Sequence, residues 1–143
     1  MSYTIRQVAT QFHMQPSTLR YYEDQGLLCN VERDDAGRRV YTDAHIGRLK
    51  AIACFKHAGM SIDELKRFFA YEKDERAHIA DMLELLESRH HAILEQRDAL
   101  EEAYMHVLRK LHLYRDIQRS IETGEPYPDW ANYDGKDFRA DDR

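Results

Sequence analysis

The sequence predicts a mostly α-helical protein: a head of short helices interrupted by a β-hairpin, one long helix and a short tail. Three observations carry that reading. Two short helical stretches flank a three-residue break at His13-Met14-Gln15. An Asp/Gly-rich turn, Asp34 to Gly37, separates two short β-tolerant runs. From Asp74 to Thr123 no Gly or Pro occurs, while apolar residues return at every seventh position.

Thr4 and Gln7 form a capping box, with Ile5, Val8, Ala9 and Phe12 following at helical spacing. This first helix ends near Phe12. Pro16 suits the first position of a second helix, which runs to about Gln25 and stops at Gly26. Two short helices joined by a tight turn make a helix-turn-helix. Within the second helix Leu19 is expected inward and Arg20 outward. The adjacent Tyr21 and Tyr22 cannot share a face, so Tyr22 is expected to pack on the third helix and Tyr21 to face out, the alternative being that both lie in the core. The runs Cys29–Arg33 and Arg38–Tyr41 read as a hairpin, in which alternation sends Arg39 and Tyr41 to one face and Arg38 to the other. Thr42 or Asp43 caps a third helix with Ile46, Leu49, Ile52 and Ala53 on one side, ending at Gly59. Ser61 and Glu64 form a second capping box, with Ile62, Leu65, Phe68 and Phe69 turned inward.

In the long helix Ile79, Leu86, Ile93, Leu100, Val107, Tyr114 and Ile121 stand seven residues apart. Leu83, His90, Arg97, Tyr104, Leu111 and Gln118 fill the position four after each of the first six. A seam of about six heptads is roughly 63 Å of helix. A head of this size cannot cover it, so the expected partner is the same helix of a second chain, giving a homodimer. Periodicity leaves open whether the two helices run parallel or antiparallel. The expected organisation is a head over residues 1–72, a dimerisation helix over 74–122, and an acidic tail over 123–143 that is partly disordered from about Lys136.

The chain has 143 residues and a net charge of −5, which taken whole argues against a nucleic-acid partner. The sign is unevenly placed. Residues 1–70 carry a net +2 and residues 71–143 a net −7. No apolar run is long enough for a membrane span and no signal peptide is seen, so the expected location is cytoplasmic. Two cysteines, Cys29 and Cys54, make no disulfide framework. No phosphate loop, nucleophile motif or carboxylate pair points to an enzyme.

Thr18-Leu19-Arg20-Tyr21-Tyr22-Glu23 with Gly26-Leu27-Leu28, the run Arg38-Arg39-Val40-Tyr41-Thr42, and Ala58-Gly59-Met60-Ser61-Ile62 together resemble the signature of MerR-family transcription regulators. The resemblance covers residues 3–70, and the long helix matches in kind. It implies a winged helix-turn-helix head and an antiparallel coiled-coil dimer. It implies also that the dimer holds a palindromic, over-long promoter spacer and activates by bending and untwisting it, so that RNA polymerase, an indirect partner, engages both promoter elements.

On that reading the DNA-binding residues are Ser17, Thr18, Arg20 and Tyr21 on the second helix and Arg38, Arg39 and Tyr41 on the wing. Serine and threonine can donate to phosphates, and Arg20 can take a guanine edge or a phosphate. Arg6 and Lys66 read as surface charge. No cofactor and no metal site is expected: family members that bind metal carry cysteines around the dimer helix, and this chain has none beyond Cys54. Cys54, with Lys50 and His57 one turn away, is similar to the single cysteine of the aldehyde- and thiol-stress branch, where a carbonyl electrophile or oxidant would modify it. The competing reading is a buried packing cysteine, the reading given to Cys29. The functional alternatives are a MerR-type regulator with another small-molecule effector or none, and a non-catalytic coiled-coil interaction protein.

Overall fold

The computed structural model describes residues 1–142. In order, the elements are β1 (Ser2–Thr4), α1 (Ile5–Gln11), α2 (Pro16–Asp24), β2 (Glu32–Arg33), β3 (Arg39–Thr42), α3 (Asp43–His57), α4 (Ile62–Tyr71) and α5 (Glu75–Thr123). Short 3-10 turns follow α4 at Glu72–Asp74 and lie in the tail at Trp130–Asn132 and Arg139–Asp141. Residues Met1–His91 form one compact unit and the chain from Ala92 on forms a second.

Local chemistry starts and stops the head's helices. Thr4 Oγ1 accepts the Gln7 N–H, and Gln7 Oε1 accepts the Thr4 N–H at 2.8 Å, closing the box that opens α1. Ser61 and Glu64 do the same for α4. The α2 helix has no side-chain cap, because Gln15 supplies none, and begins on Pro16. It ends in a Schellman turn: Gly26 N–H reaches Glu23 O, Leu27 N–H reaches Tyr22 O, and Gly26 takes φ +76°. An equivalent turn closes α3 at Gly59, φ +90°, and carries Met60 into the core. A side chain at Gly59 would also put its Cβ 3.0 Å from Arg89 Nη1, which donates to the Gly59 carbonyl.

A strand invisible in the sequence pattern, β1, joins the hairpin to make a three-stranded antiparallel sheet of order β1-β3-β2. Tyr3 pairs with Tyr41 and Thr4 with Val40, while Arg33 pairs with Arg39 across the hairpin. The addition makes β3 the central strand. The core gathers Val8, Leu19, Tyr22, Tyr41, Leu49 and Leu65 with Phe68 and Phe69. It also takes Met82, and Leu85 packs against it, so the first turns of α5 belong to the head's packing.

His45 ties the start of α3 to the loop after α2. Its Nδ1 accepts the Thr42 N–H at 2.9 Å, which leaves the proton on Nε2 to donate to the Cys29 carbonyl at 2.8 Å.

In the second unit the tail, expected to be partly disordered from about Lys136, makes contacts with α5. Lys110 Nζ lies 3.8 Å from the centre of the Trp130 ring, and His112 stacks on Phe138 at 4.3 Å. Arg109 Nε donates to the Lys136 carbonyl, Arg139 pairs with Glu101 and Asp137, and the Tyr133 hydroxyl donates to Asp116. The reason is the mixed composition of the segment. Its acids look solvating when counted, but its aromatic residues Trp130, Tyr133 and Phe138 contact α5, where Leu108 and Leu113 are buried.

The tail's carboxylates make it acid-sensitive. The Arg139 guanidinium holds Asp137 down to about 2, and the Tyr133 hydroxyl bond, with Arg119 nearby, holds Asp116 below its usual range. Folded-state values below the ordinary 3.8 mean their contribution is full above that pH and fades as pH falls toward 2. Trp130 is the only tryptophan. Its emission is expected to show an acid transition in that window, reduced in D116N and D137N. A transition that ignores both substitutions would contradict the tail contacts.

Candidate nucleic-acid interface

The α2 helix sorts its side chains sharply. Leu19 is fully buried and Tyr22 is 3% exposed, whereas Tyr21 is 45% exposed and Ser17 and Arg20 are on the surface. Ser17 stands three residues before Arg20 and four before Tyr21, which puts all three on one strip. Thr18 is half-buried at its edge. Tyr22 is held inward on the third helix, where its hydroxyl accepts from Lys56 Nζ at 3.3 Å. The strip thus has two aims for two adjacent tyrosines, as the helical period requires.

The wing turn is built by Asp34. Its Oδ1 accepts the backbone N–H groups of Ala36 and Arg38, and its Oδ2 accepts from Arg38 Nε at 3.0 Å. These bonds, the Arg38 backbone first, hold its carboxyl below the usual range. The Arg38 side chain is 79% exposed, so its pairing with Asp34 is a screened surface contact that a phosphate could replace.

Arg39 and Tyr41 differ from the sequence expectation. They do share a face opposite Arg38, but that face points inward. Tyr41 is fully buried, edge-on to His45, and its hydroxyl finds no hydrogen-bond partner among the described residues. Burial pushes the hydroxyl's pKa up. Tyr41 is therefore a core residue and not an outward one. Arg39 Nε donates to Glu23 Oε2 at 2.7 Å, with side chains 21% and 27% exposed. That hydrogen bond raises the Arg39 pKa further. Both differences follow from the face of β3 that is turned to the helices: Tyr41 lies against His45 of α3, and Arg39 reaches Glu23 of α2. Nothing in linear spacing connects Glu23 with a residue sixteen positions later.

A family model described as MerR HTH family regulatory protein matches residues 3–72, and one described as MerR, DNA binding, matches residues 46–109. Among solved structures, the chain resembles HiNmlR, a MerR family regulator lacking the sensor domain, bound to promoter DNA. The two share 31% identity with a TM-score of 0.71, over 87% of this chain and 96% of that one. The chain belongs to the MerR family. Its relatives are DNA-binding transcription regulators, not enzymes. It is 41% identical over 68 residues to an uncharacterised HTH-type transcriptional regulator of Haemophilus influenzae, covering 48% of this chain and 50% of that protein. It is 36% identical over 104 residues to the transcriptional activator TipA of Streptomyces coelicolor, covering 72% of this chain and 41% of that one. The chain thus matches half or less of the length of these curated relatives.

In this MerR-family chain both cysteines are free and exposed. The packing reading fails for Cys54 and for Cys29, whose Sγ lies 3.5 Å from the Gly26 carbonyl. Lys50 and His57 flank Cys54 on the exposed side of α3. Among the described residues no three His, Cys, Asp or Glu side chains gather as a metal ion would need, and no helix is long and apolar enough to cross a membrane.

The Glu23–Arg39 pair joins α2 to the wing and lies less than one-third exposed. Urea unfolding of E23Q, R39Q and the double variant is expected to give a coupling of about 1 kcal/mol. Additive losses would show that the pair does not bind the wing to the helix.

Proposed function

We propose that this chain binds a palindromic promoter duplex as a homodimer and activates transcription by bending and untwisting the DNA between the promoter elements. The observation that carries the reading is the sorting of α2, with Leu19 and Tyr22 buried beneath an exposed strip of Ser17, Arg20 and Tyr21. Such a strip on the second helix of a helix-turn-helix suits the major groove, where Arg20 can take a guanine edge bidentately. Arg38, outward on the wing, suits the neighbouring phosphates. Thr18 sits at the start of the helix, where a hydroxyl can donate to a phosphate.

Support for the dimer comes from α5. Ile79, Leu83, Leu86, Ile93, Leu100, Tyr104, Val107, Leu111, Tyr114 and Ile121 are all exposed, with Leu100 at 72% and Ile121 at 71%. A heptad stripe of that length left open to water is what a second copy would cover. The family resemblance makes the pair antiparallel, with RNA polymerase acted on through the DNA. The crystal structure of HiNmlR bound to promoter DNA supports the choice of partner.

Gel shift on the chain's own upstream DNA tests the core of this reading. Palindrome-specific binding that weakens with salt and falls about 10-fold or more in R20A is expected, because a good bidentate base contact contributes about 1–3 kcal/mol of discrimination. Absence of binding at low salt would favour the interaction-module alternative.

Cys54 is the sensing group in this proposal. Its exposed thiol adds across a carbonyl: the sulfur–carbon bond forms as the C=O π pair moves to oxygen, which takes up the thiol proton. The modified side chain on α3 would then shift the head against the dimer helix. Formaldehyde is expected to activate the promoter with the wild type and not with C54S. Equal activation by both would remove Cys54 from the mechanism and leave a regulator with another effector or none.

A further inference from the structure

Between the first turn of α1 and the wing lies a groove of about 660 Å³, lined by Thr4, Arg6, Asp34, Arg38, Arg39 and Val40 among others. It exists because β1 pairs with β3. The register of Thr4 on Val40 brings the start of α1 beside the wing strand, and Arg6 is the second residue of that helix.

Three guanidinium-bearing side chains line this groove, with Asp34 the carboxylate among its lining residues. Two of the three are already matched: Arg38 by Asp34 and Arg39 by Glu23. Other polar groups of its lining are engaged too. Thr4 and Gln7 are held in the capping box, and the Tyr3 hydroxyl donates to Asp43 at 2.7 Å. Among the described residues Arg6 has no ion pair, and its side chain is exposed. The groove's uncompensated positive charge is therefore Arg6, and a concave surface concentrates its field on an anion. Arg39 lines the groove and also contacts Glu23 on α2.

We infer that Arg6 is a phosphate ligand for the DNA backbone, with Arg38 opposite it across the groove. The ligand is one phosphodiester of the duplex whose major groove receives α2. The sequence pattern reads Arg6 as ordinary surface charge, and only the β1–β3 pairing gives it this place. The inference rests on the DNA-binding reading above.

Fluorescence anisotropy on a duplex from the chain's own promoter, titrated with salt, tests it. The proteins compared are wild type, the neutral variants R6Q and R6M, and R38Q. Loss of one phosphate contact is expected to lower the slope of log affinity against log salt by about 0.9, with a fall in affinity of about 3- to 10-fold at moderate salt. The fall should be the same on promoter and scrambled duplexes, since a phosphate carries no sequence information. An unchanged slope in R6Q or R6M, whichever folds with wild-type circular dichroism, overturns the inference while leaving DNA binding intact. A loss confined to the promoter sequence also overturns it, because that is a base contact. Failure of the wild type to bind overturns the DNA-binding reading, and this inference with it.

Discussion

The head depends on β3, the central strand of its sheet, turning one face to the helices, because that fixes what each wing residue meets. On that face Tyr41 is sealed into the core against His45. Two residues earlier on the same face, Arg39 is carried to Glu23 on α2. The α2 helix and the wing are then joined by an ion pair that is shielded from much of the solvent. Pairs of this kind lie between the weak surface case and the costly buried one. Their value here is geometric: the distance between the Arg20 strip and the outward Arg38 is set by a direct contact and not by a flexible linker. The His45 bonds to Thr42 and the Cys29 carbonyl serve the same end on the other side, anchoring the loop that leaves α2 to the start of α3.

The long helix is shared between jobs by its faces. Near its start Met82 packs into the head's core, and Arg89 reaches the Gly59 turn. Later, Leu108 and Leu113 are buried in a unit where the tail lies along the helix. Throughout, the seven-residue stripe stays exposed, although intramolecular packing was available to it at both places. Apolar residues that a fold leaves uncovered at coiled-coil spacing are most simply explained by a second helix.

Features set by neighbours in sequence were readable from it. The capping boxes at Thr4 and Ser61, the stops at Gly26 and Gly59, the inward Leu19 and Tyr22, and the heptad stripe depend on residues within a few positions of one another. Features set by distant pairing were not. The β1 strand has three residues, too few to show alternation, and its pairing gives Arg6 a groove, while Tyr41 becomes core and Arg39 a link to α2 through contacts with distant helices. Helical and strand periods tell which residues share a face, but not which face is the inner one. His45 was missed for a related reason, since a histidine at the third helical position is an unusual capping partner. The contacts of Trp130, Tyr133 and Phe138 depend on where the tail's turns place their rings, which composition does not carry.

Charge follows the same division. The whole chain is acidic, yet the first 70 residues hold a small positive excess, and the cations that matter are few and placed by the fold. Two heads, presented by paired long helices, are proposed to grip one duplex. Native mass spectrometry of the chain with a duplex containing its upstream palindrome tests this most directly. Two chains on one duplex, with the free chain already a dimer, is the predicted result. A single chain on the duplex, or a monomeric chain at micromolar concentration, would contradict it.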